Sequence, residues 1–154
     1  MEAAADRGTK VHAATEALDR TGRAEIEDDY LPYLQAYALF RKEHDVQWEL
    51  IEHPDYHPVH RYAGTIDRYG MVDGFKTLLD IKTTYRVYKP LCSASLNLYR
   101  MILEARGRAV GRLLILHLKK DGSYKLIRFD ADDSVPMALI TLYTALKTRR
   151  NNKW

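Results

Sequence analysis

The stretch Phe75-Lys76-Thr77-Leu78-Leu79-Asp80-Ile81-Lys82 has the pattern of an apolar strand that ends in an acid and a base. Side chains two apart on a strand point to the same face, so Asp80 and Lys82 are expected to share one. A turn at Val72-Asp73-Gly74 connects this strand to a preceding strand that ends near Asp67. The sequence therefore predicts that two carboxylates and a lysine converge.

The remaining sequence predicts helices around a mixed sheet. Apolar residues at helical spacing indicate helices, and apolar or alternating runs bounded by turn residues indicate strands. The predicted helices cover 9–20, a segment from about 31, about 90–106 and about 133–149, and the predicted strands cover 46–53, 61–69, 75–82, 110–118 and 124–129. Pro54 and Pro58 separate the first two strands, because neither strand interior would accept proline. The predicted fold class is α/β, with a mixed five-stranded sheet flanked by helices.

Two of these segments carry a prediction about burial. Residues 110–118 are nearly continuously apolar and suit a central strand that is covered on both faces. The last helix is expected to face inward with its apolar stripe. That stripe consists of Val135, Ala138, Leu139, Leu142 and Leu146.

Length and composition fit one domain over residues 1–154, with residues 1–7 and 150–154 as disordered tails. The chain has 154 residues, of which 46% are hydrophobic and 29% are charged. Its single cysteine, Cys92, excludes an intramolecular disulfide and is typical of a reducing compartment. The sequence has no signal-peptide pattern and no apolar run of about 20 residues, which predicts a soluble intracellular protein with no membrane partner.

The net charge of +3 is too small to identify a nucleic-acid-binding protein by itself. Basic residues concentrate at Arg106-Gly107-Arg108, at Lys119-Lys120 and between Lys147 and Lys153. Patches of this kind can track phosphate groups. For the C-terminal run, a solvated basic tail at a helix end is the favoured interpretation.

A site that contains Asp67, Asp80 and Lys82 suits phosphodiester hydrolysis. Carboxylate oxygens bind Mg²⁺ or Mn²⁺, and the bound cation polarises a phosphate and lowers the pKa of a coordinated water. Lys82 would orient that water or offset charge in the transition state. A solvated acid and base on an amphipathic strand is the commoner origin of an isolated Asp-x-Lys. Beside Leu78 and Leu79, however, two buried charges need a partner or an ion.

Four short motifs follow one another within residues 8–130. They are Gly8-Thr9-Lys10-Val11-His12, Tyr62-Ala63-Gly64-Thr65-Ile66-Asp67-Arg68, Leu78-Leu79-Asp80-Ile81-Lys82-Thr83 and Ser95-Leu96-Asn97-Leu98-Tyr99. Together they resemble the PD-(D/E)XK nucleases, and within them the RecB-like exonucleases of phages and bacteria. In those families the first motif carries a metal-binding histidine and the last is Gln-x-x-x-Tyr. This chain departs from the pattern at Ser95, which stands at the position of the glutamine.

The resemblance implies a restriction-endonuclease-like core and a Mg²⁺- or Mn²⁺-dependent deoxyribonuclease, specifically an exonuclease. It also implies DNA as the partner, a bacterial or phage-infected cytoplasm as the location, and a homo-oligomer as one arrangement of the chain. One cysteine cannot hold the four-cysteine iron–sulfur cluster of some relatives. The implied metal ligands are His12, Asp67, Asp80 and the backbone carbonyl of Ile81. The implied catalytic residues are Asp67, Asp80 and Lys82, and the implied substrate contacts are Ser95 and Tyr99.

Several alternatives stay open at this level. A nucleic-acid-binding module without turnover can have the same fold, and the same chemistry permits an RNA or structure-specific endonuclease. Glu49 and Glu52 lie on the first predicted strand, where at most one can face the site, and a structural or solvated role is expected for both. Tyr99 can equally pack in the core, and Gly64 is expected to leave space for a ligand. Arg68 is expected to point away from the metal.

Overall fold

The computed structural model of the chain describes residues 2–151, with side chains for residues 3–150. The described residues form, in chain order, two α-helices, three strands, a third helix, two strands and a fourth helix. One 3-10 turn at Asp28–Tyr30 precedes the second helix. The helices are α1 (Glu2–Thr21), α2 (Leu31–Glu43), α3 (Lys89–Ala105) and α4 (Ser134–Asn151). The strands are β1 (Val46–Tyr56), β2 (Ala63–Val72), β3 (Phe75–Lys82), β4 (Arg112–Leu118) and β5 (Tyr124–Phe129).

The strands form one mixed sheet in the order β1-β2-β3-β4-β5. Strands β1, β2 and β3 are antiparallel neighbours, β3 and β4 are parallel, and β4 and β5 are antiparallel. A parallel pair needs a crossover connection, which α3 provides between β3 and β4. The predicted α/β fold class with a mixed five-stranded sheet and flanking helices is confirmed.

The turn between β2 and β3 fixes the register of the strand that carries Asp80 and Lys82. Asp73 and Gly74 have φ values of 50° and 82°, the left-handed conformation of a two-residue hairpin turn. The hairpin pairs Val72 with Phe75 and continues to the pair of Arg68 with Leu79. The predicted connection at residues 72–74 is therefore confirmed.

Hydrophobic clusters cover both faces of the sheet. One cluster joins α1 and α2 to the sheet through Val11, Ala36, Tyr37, Phe40, Leu79, Ile81, Leu114 and Leu116. The other joins α3 to the opposite face through Ile66, Leu78, Leu96, Leu103, Leu113 and Ile115. Because neighbouring residues such as Leu78 and Leu79 enter different clusters, β3 and β4 are buried on both sides. The predicted central position of the 110–118 segment is confirmed.

Several predicted boundaries are wrong. Strand β1 runs through Pro54 to Tyr56, and it can do so because β1 is at the edge of the sheet, where proline is tolerated. Helix α1 begins at Glu2, so most of the predicted N-terminal tail is helical. At the other end, α4 includes Arg150 and Asn151, whereas residues 152–154 lie outside the described part of the chain.

The predicted burial of α4 is also wrong. Its apolar stripe is open to solvent, with exposed fractions of 44–57% for Val135, Leu139, Leu142 and Leu146, and Ala138 is exposed too. The helix contacts α3 but lies beyond the two clusters that fill the core. Helical spacing of apolar residues predicts a helix with an apolar face, but it does not predict which surface of the chain meets that face.

Candidate metal centre

The predicted site lies where β2 and β3 separate. Their pairing ends at Arg68 and Leu79, so Ile81 has no strand partner on its β2 side, although it stays paired with Leu116 of β4 on the other. The N–H of Ile81 donates a hydrogen bond to Asp67 Oδ2 at 2.8 Å, and its carbonyl oxygen lies 3.2 Å from His12 Nε2. The opening between the strands thus brings the side chain of Asp67 and that of His12 to one backbone position.

His12 reaches this opening from α1, which is held to the sheet by the fully buried Val11. Its Nδ1 lies 2.8 Å from Glu52 Oε1 and 3.8 Å from Asp67 Oδ1. Ligand atoms of His12, Glu52 and Asp67 all lie within 4.8 Å of one another, which is close enough for one metal ion to be shared. The structure therefore brings the predicted ligands His12 and Asp67 together with a third residue.

That third residue is Glu52, for which the sequence predicts a structural or solvated role and which the structure adds as a candidate ligand. Glu52 lies between the pairs Ile51 with Arg68 and His53 with Ile66, and it is therefore opposite Asp67. Regular alternation cannot predict this direction, because the register shifts earlier in β1 and Glu52 itself has a φ of 44°. A non-glycine residue in that conformation is strained, and strained residues cluster at functional sites.

Glu49 behaves as predicted. Its side chain pairs with Lys76 and Arg108 at an exposed position, and Arg108 Nη1 lies 3.0 Å from Glu49 Oε2. Because Glu52 faces the cluster and Glu49 does not, the expectation that at most one glutamate can face the site is met. Glu52 is therefore suited to a test substitution at the site, and Glu49 is suited to its matched control.

Arg68 supports the cluster from behind. Its side chain is fully buried, and its guanidinium donates to Glu52 Oε1 at 3.0 Å and to Asp19 Oδ2 at 2.8 Å. A third bond runs to the hydroxyl of Thr15 at 3.1 Å. Arg68 is not itself a candidate ligand, but it orients one, since ligands in metal sites are commonly held by such a second hydrogen bond.

Asp80 and Lys82 share a face of β3, as predicted, and form an ion pair with 2.8 Å between Nζ and Oδ2. Asp80 is only 8% exposed. Within residues 3–150, the Lys82 ammonium is the partner of this buried oxygen, which accepts no further hydrogen bond. Asp80 is not part of the three-residue cluster, but its negative charge reaches Asp67 and His12. Its carboxylate therefore lies beside the cluster, paired with the Lys82 ammonium.

The acidic surroundings change the protonation of the cluster. Burial lowers the pKa of His12, but the hydrogen bond with Glu52 and the charges of Asp67, Glu52 and Asp80 outweigh burial and raise it from 6.5 to about 9. Burial and the charge of Asp80 raise the pKa of Asp67 well above its ordinary value. The carboxylates of Glu52, Asp67 and Asp80 thus favour a proton or another cation at this site.

The pKa of Lys82 is raised as well. Burial lowers it, but the charge of Asp80, and more weakly that of Asp67, outweighs burial. The side chain is therefore an ammonium ion at neutral pH, and it is suited to stabilising negative charge and not to accepting a proton. Of the two roles predicted for Lys82, the electrostatic one fits this protonation state directly.

Tyr99 approaches the site from α3, whereas Ser95 does not bind any site residue. A Cβ atom placed on Gly64 would lie 2.4 Å from Cε1 of Tyr99, so the space above Gly64 holds this ring and not a ligand. Burial raises the pKa of Tyr99, and the nearby charges of Asp80 and Asp67 raise it further. Ser95 is half-buried one turn earlier and makes no side-chain hydrogen bond to the described residues.

The donor set fits a divalent cation. It combines two carboxylates and an imidazole with the Ile81 carbonyl and the Asp80 carboxylate close by. Carboxylate and carbonyl oxygens suit Mg²⁺ and Mn²⁺, and an imidazole nitrogen favours the transition metal of the two. Burial and the charge of Asp80 raise the pKa of Asp67, and a bound cation would offset that charge.

No protein-family model matches this chain, and no curated protein matches it either. Across residues 2–151, none of the helices combines the length and the apolarity that crossing a membrane requires. What the chain does must therefore be inferred from its fold, its side chains and the motifs in its sequence.

Proposed function

We propose that this chain is a metal-dependent nuclease that hydrolyses phosphodiester bonds in DNA, acting as an exonuclease. The observation that carries the proposal is the convergence of His12, Glu52 and Asp67 within 4.8 Å, with the Asp80 and Lys82 ion pair beside them. A divalent-cation site next to a protonated lysine matches the charge of a phosphodiester under attack. The resemblance to the PD-(D/E)XK nucleases supports the same activity.

The residues that would hold the metal are His12, Glu52 and Asp67, with the Asp80 carboxylate and the Ile81 carbonyl adjacent. When bound, Mg²⁺ or Mn²⁺ would supply a polarised phosphate and a coordinated water of lowered pKa. The protein prepares this site in two ways. The Ile81 N–H fixes one oxygen of Asp67, and Arg68 fixes one oxygen of Glu52.

Lys82 would act on the phosphate itself. Its ammonium lies on the strand face of Asp80, and it can offset the negative charge that develops on the phosphate oxygens in the transition state. The burial of Asp67 and Asp80, each 8% exposed, strengthens such interactions because little water screens them. Tyr99 would contact the substrate from the rim, and Ser95 has the weaker claim to that role.

The proposed place of action is the cytoplasm of a bacterium or of a phage-infected cell. The free cysteine Cys92 suits a reducing compartment. DNA is the proposed partner, and self-association of the chain is compatible with the open apolar stripe of α4.

The direct test is a gel assay of the purified chain on linear and circular DNA with Mg²⁺, Mn²⁺ or EDTA. We expect linear DNA to be degraded with either metal and to stay intact in EDTA. Nicking or linearisation of circular DNA at a comparable rate would contradict the exonuclease. No degradation under any metal condition would contradict the nuclease as a whole.

A second candidate is a nucleic-acid-binding module without turnover. Two observations favour it: Ser95 replaces the glutamine of the motif, and Lys82 is engaged with Asp80. DNA binding without degradation in the same assay would support this module. An RNA or structure-specific endonuclease is separated by adding single-stranded DNA and RNA of the same length as substrates.

A further inference from the structure

A second feature of the molecule is a cavity of about 790 Å³ that lies outside the metal centre. Its walls come from the loop after β3, the end of β4 and the start of β5, with Arg7 of α1 and Tyr33 of α2. Neither His12, Glu52, Asp67 nor Asp80 lines it. A cavity of this size accommodates a ligand as large as a nucleotide.

The lining of this cavity is strongly basic. Six cationic side chains line it, namely Arg7, Arg86, Lys89, Lys119, Lys120 and Lys125. The one carboxylate in the lining belongs to Asp121. It accepts hydrogen bonds from the N–H of Ser123 at 2.9 Å and from the hydroxyl of Ser123. The cavity therefore presents a concentrated positive charge.

Several arginines elsewhere in the chain are paired with acids, unlike these cations. Arg100, Arg106 and Arg108 each contact a carboxylate, as do Arg20 and Arg41. Around the cavity, and considering residues 3–150, no acidic side chain lies within 4.0 Å of any of the six cations. Clustered like charges repel one another unless an anion binds between them, so the cavity is suited to a polyanion.

An aromatic side chain adds a second requirement. Tyr85 lines the cavity and is 90% exposed, with the Arg86 guanidinium 6.0 Å from the centroid of its ring, so the ring is available to stack on a base. Base faces are available for stacking in a single strand, whereas in a duplex they are stacked on one another. Exposed aromatic rings beside a basic groove are the usual features of single-strand binding.

The cavity adjoins the metal centre. Thr83, which lines it, follows Lys82 directly, and Arg7 donates to the hydroxyl of Thr83 at 3.4 Å. Arg7 is five residues before His12 on α1, a rise of roughly 7.5 Å along the helix axis. A strand that occupies the cavity is thus within a few nucleotides of the cluster.

We propose that this cavity binds a single-stranded segment of DNA, with phosphates on its lysines and a base stacked on Tyr85. The proposal that this strand leads to the metal centre rests on the proposed nuclease function. The binding itself does not, because it involves none of the candidate ligands.

The test measures binding of a fluorescent single-stranded DNA by anisotropy in EDTA, where metal-dependent cleavage cannot occur. We expect the double substitution Lys119→Gln and Lys120→Gln to weaken binding about tenfold and to reduce the slope of log affinity against log salt by about 1.4. Tyr85→Ala should weaken binding about tenfold, and Tyr85→Phe should keep the wild-type affinity.

The control is the double substitution Lys147→Gln and Arg149→Gln on α4, which removes the same charge from an exposed surface away from the cavity. It should change the affinity less than about twofold. Equal losses in the cavity and control variants, or no loss with Tyr85→Ala, would overturn the proposal. Tighter binding of a duplex or of an RNA of equal length would overturn the assignment to single-stranded DNA.

The two proposals fail separately. If the wild-type chain binds single-stranded DNA through Tyr85 but degrades no DNA with Mn²⁺, the nuclease is wrong and this site stands. If the chain degrades DNA while the cavity variants bind single strands as the wild type does, the nuclease stands and this site is wrong.

Discussion

Arg68 and Glu52 form a buried ion pair of 3.0 Å directly behind the candidate metal centre. The same carboxylate oxygen of Glu52 lies 2.8 Å from His12 Nδ1. One oxygen atom therefore contacts both the buried Arg68 and a candidate metal ligand. Arg68 is also bound to Asp19, whose side chain is 1% exposed. The protein thus uses a buried charge network to fix the direction of a side chain at the site.

This network predicts a large loss of stability on substitution of Arg68. Arg68→Met leaves Asp19 and Glu52 without their buried partner, and we expect a loss of about 3–5 kcal/mol in the free energy of unfolding. Urea denaturation followed by circular dichroism measures it. Arg20→Met, which removes an exposed partner of Glu16, should stay within about 0.5 kcal/mol of the wild type. Similar losses in the two variants would contradict the supporting role of Arg68.

Glu52 and Glu49 make a matched pair for testing the cluster. Glu52→Gln removes a candidate metal ligand and should weaken Mn²⁺ binding about 10- to 100-fold, whereas Glu49→Gln should leave it unchanged. Isothermal titration calorimetry on the purified variants measures the affinity. If Glu52→Gln binds Mn²⁺ as tightly as Glu49→Gln does, Glu52 is not a ligand.

The raised pKa of His12 predicts how stability depends on pH without metal. The folded-state pKa is about 9 and the ordinary value is 6.5, so the protonated imidazole stabilises the fold below pH 6.5, and this stabilisation is lost as the pH rises through about 9. In EDTA the Tm should therefore fall across this range, and the fall should be smaller in His12→Gln.

Mn²⁺ should change this pH dependence, because the metal binds neutral imidazole and displaces the proton. We expect the increase in Tm that Mn²⁺ produces to grow as the pH rises toward 9. Thermal denaturation at several pH values with EDTA or Mn²⁺ tests both statements. A Tm profile in EDTA that is identical for the wild type and His12→Gln would show that the proton on His12 is not the cause.

The contact between Gly64 and Tyr99 gives another test. Gly64→Ala places a methyl group 2.4 Å from the Tyr99 ring and should destabilise the protein by about 1–3 kcal/mol. Gly8→Ala on helix α1 is the control, because the nearest atom to its methyl group would be Thr83 Oγ1 at 4.0 Å. The double variant with Tyr99→Ala should lose less than the sum of the two single changes. Strict additivity would contradict the contact.

The sequence predicted the features that depend on local pattern. Alternation along 75–82 placed Asp80 and Lys82 on one face, and the turn at Asp73 and Gly74 set the hairpin beside it. Motif similarity singled out His12, which the structure places at the site although 55 residues separate it from Asp67 in the chain (67 − 12 = 55).

The features that the sequence did not predict depend on how elements pair. The direction of Glu52 results from an irregular register between β1 and β2, which has no signature in the sequence of β1 alone. The role of Arg68 depends on Asp19, which lies 49 residues away in the chain. The open apolar stripe of α4 depends on where the helix ends up relative to the core, and spacing carries no such information.

We propose that the cluster of His12, Glu52 and Asp67, with the help of Lys82, supports metal-dependent DNA cleavage. The most direct measurement is the rate of Mn²⁺-dependent degradation of linear DNA by the wild type, Asp67→Asn, Lys82→Met and the control Lys76→Met at the opposite end of β3. We predict degradation by the wild type and by Lys76→Met, and rates at least about 100-fold lower for the other two at unchanged helicity. Wild-type rates in Asp67→Asn or Lys82→Met would contradict the claim.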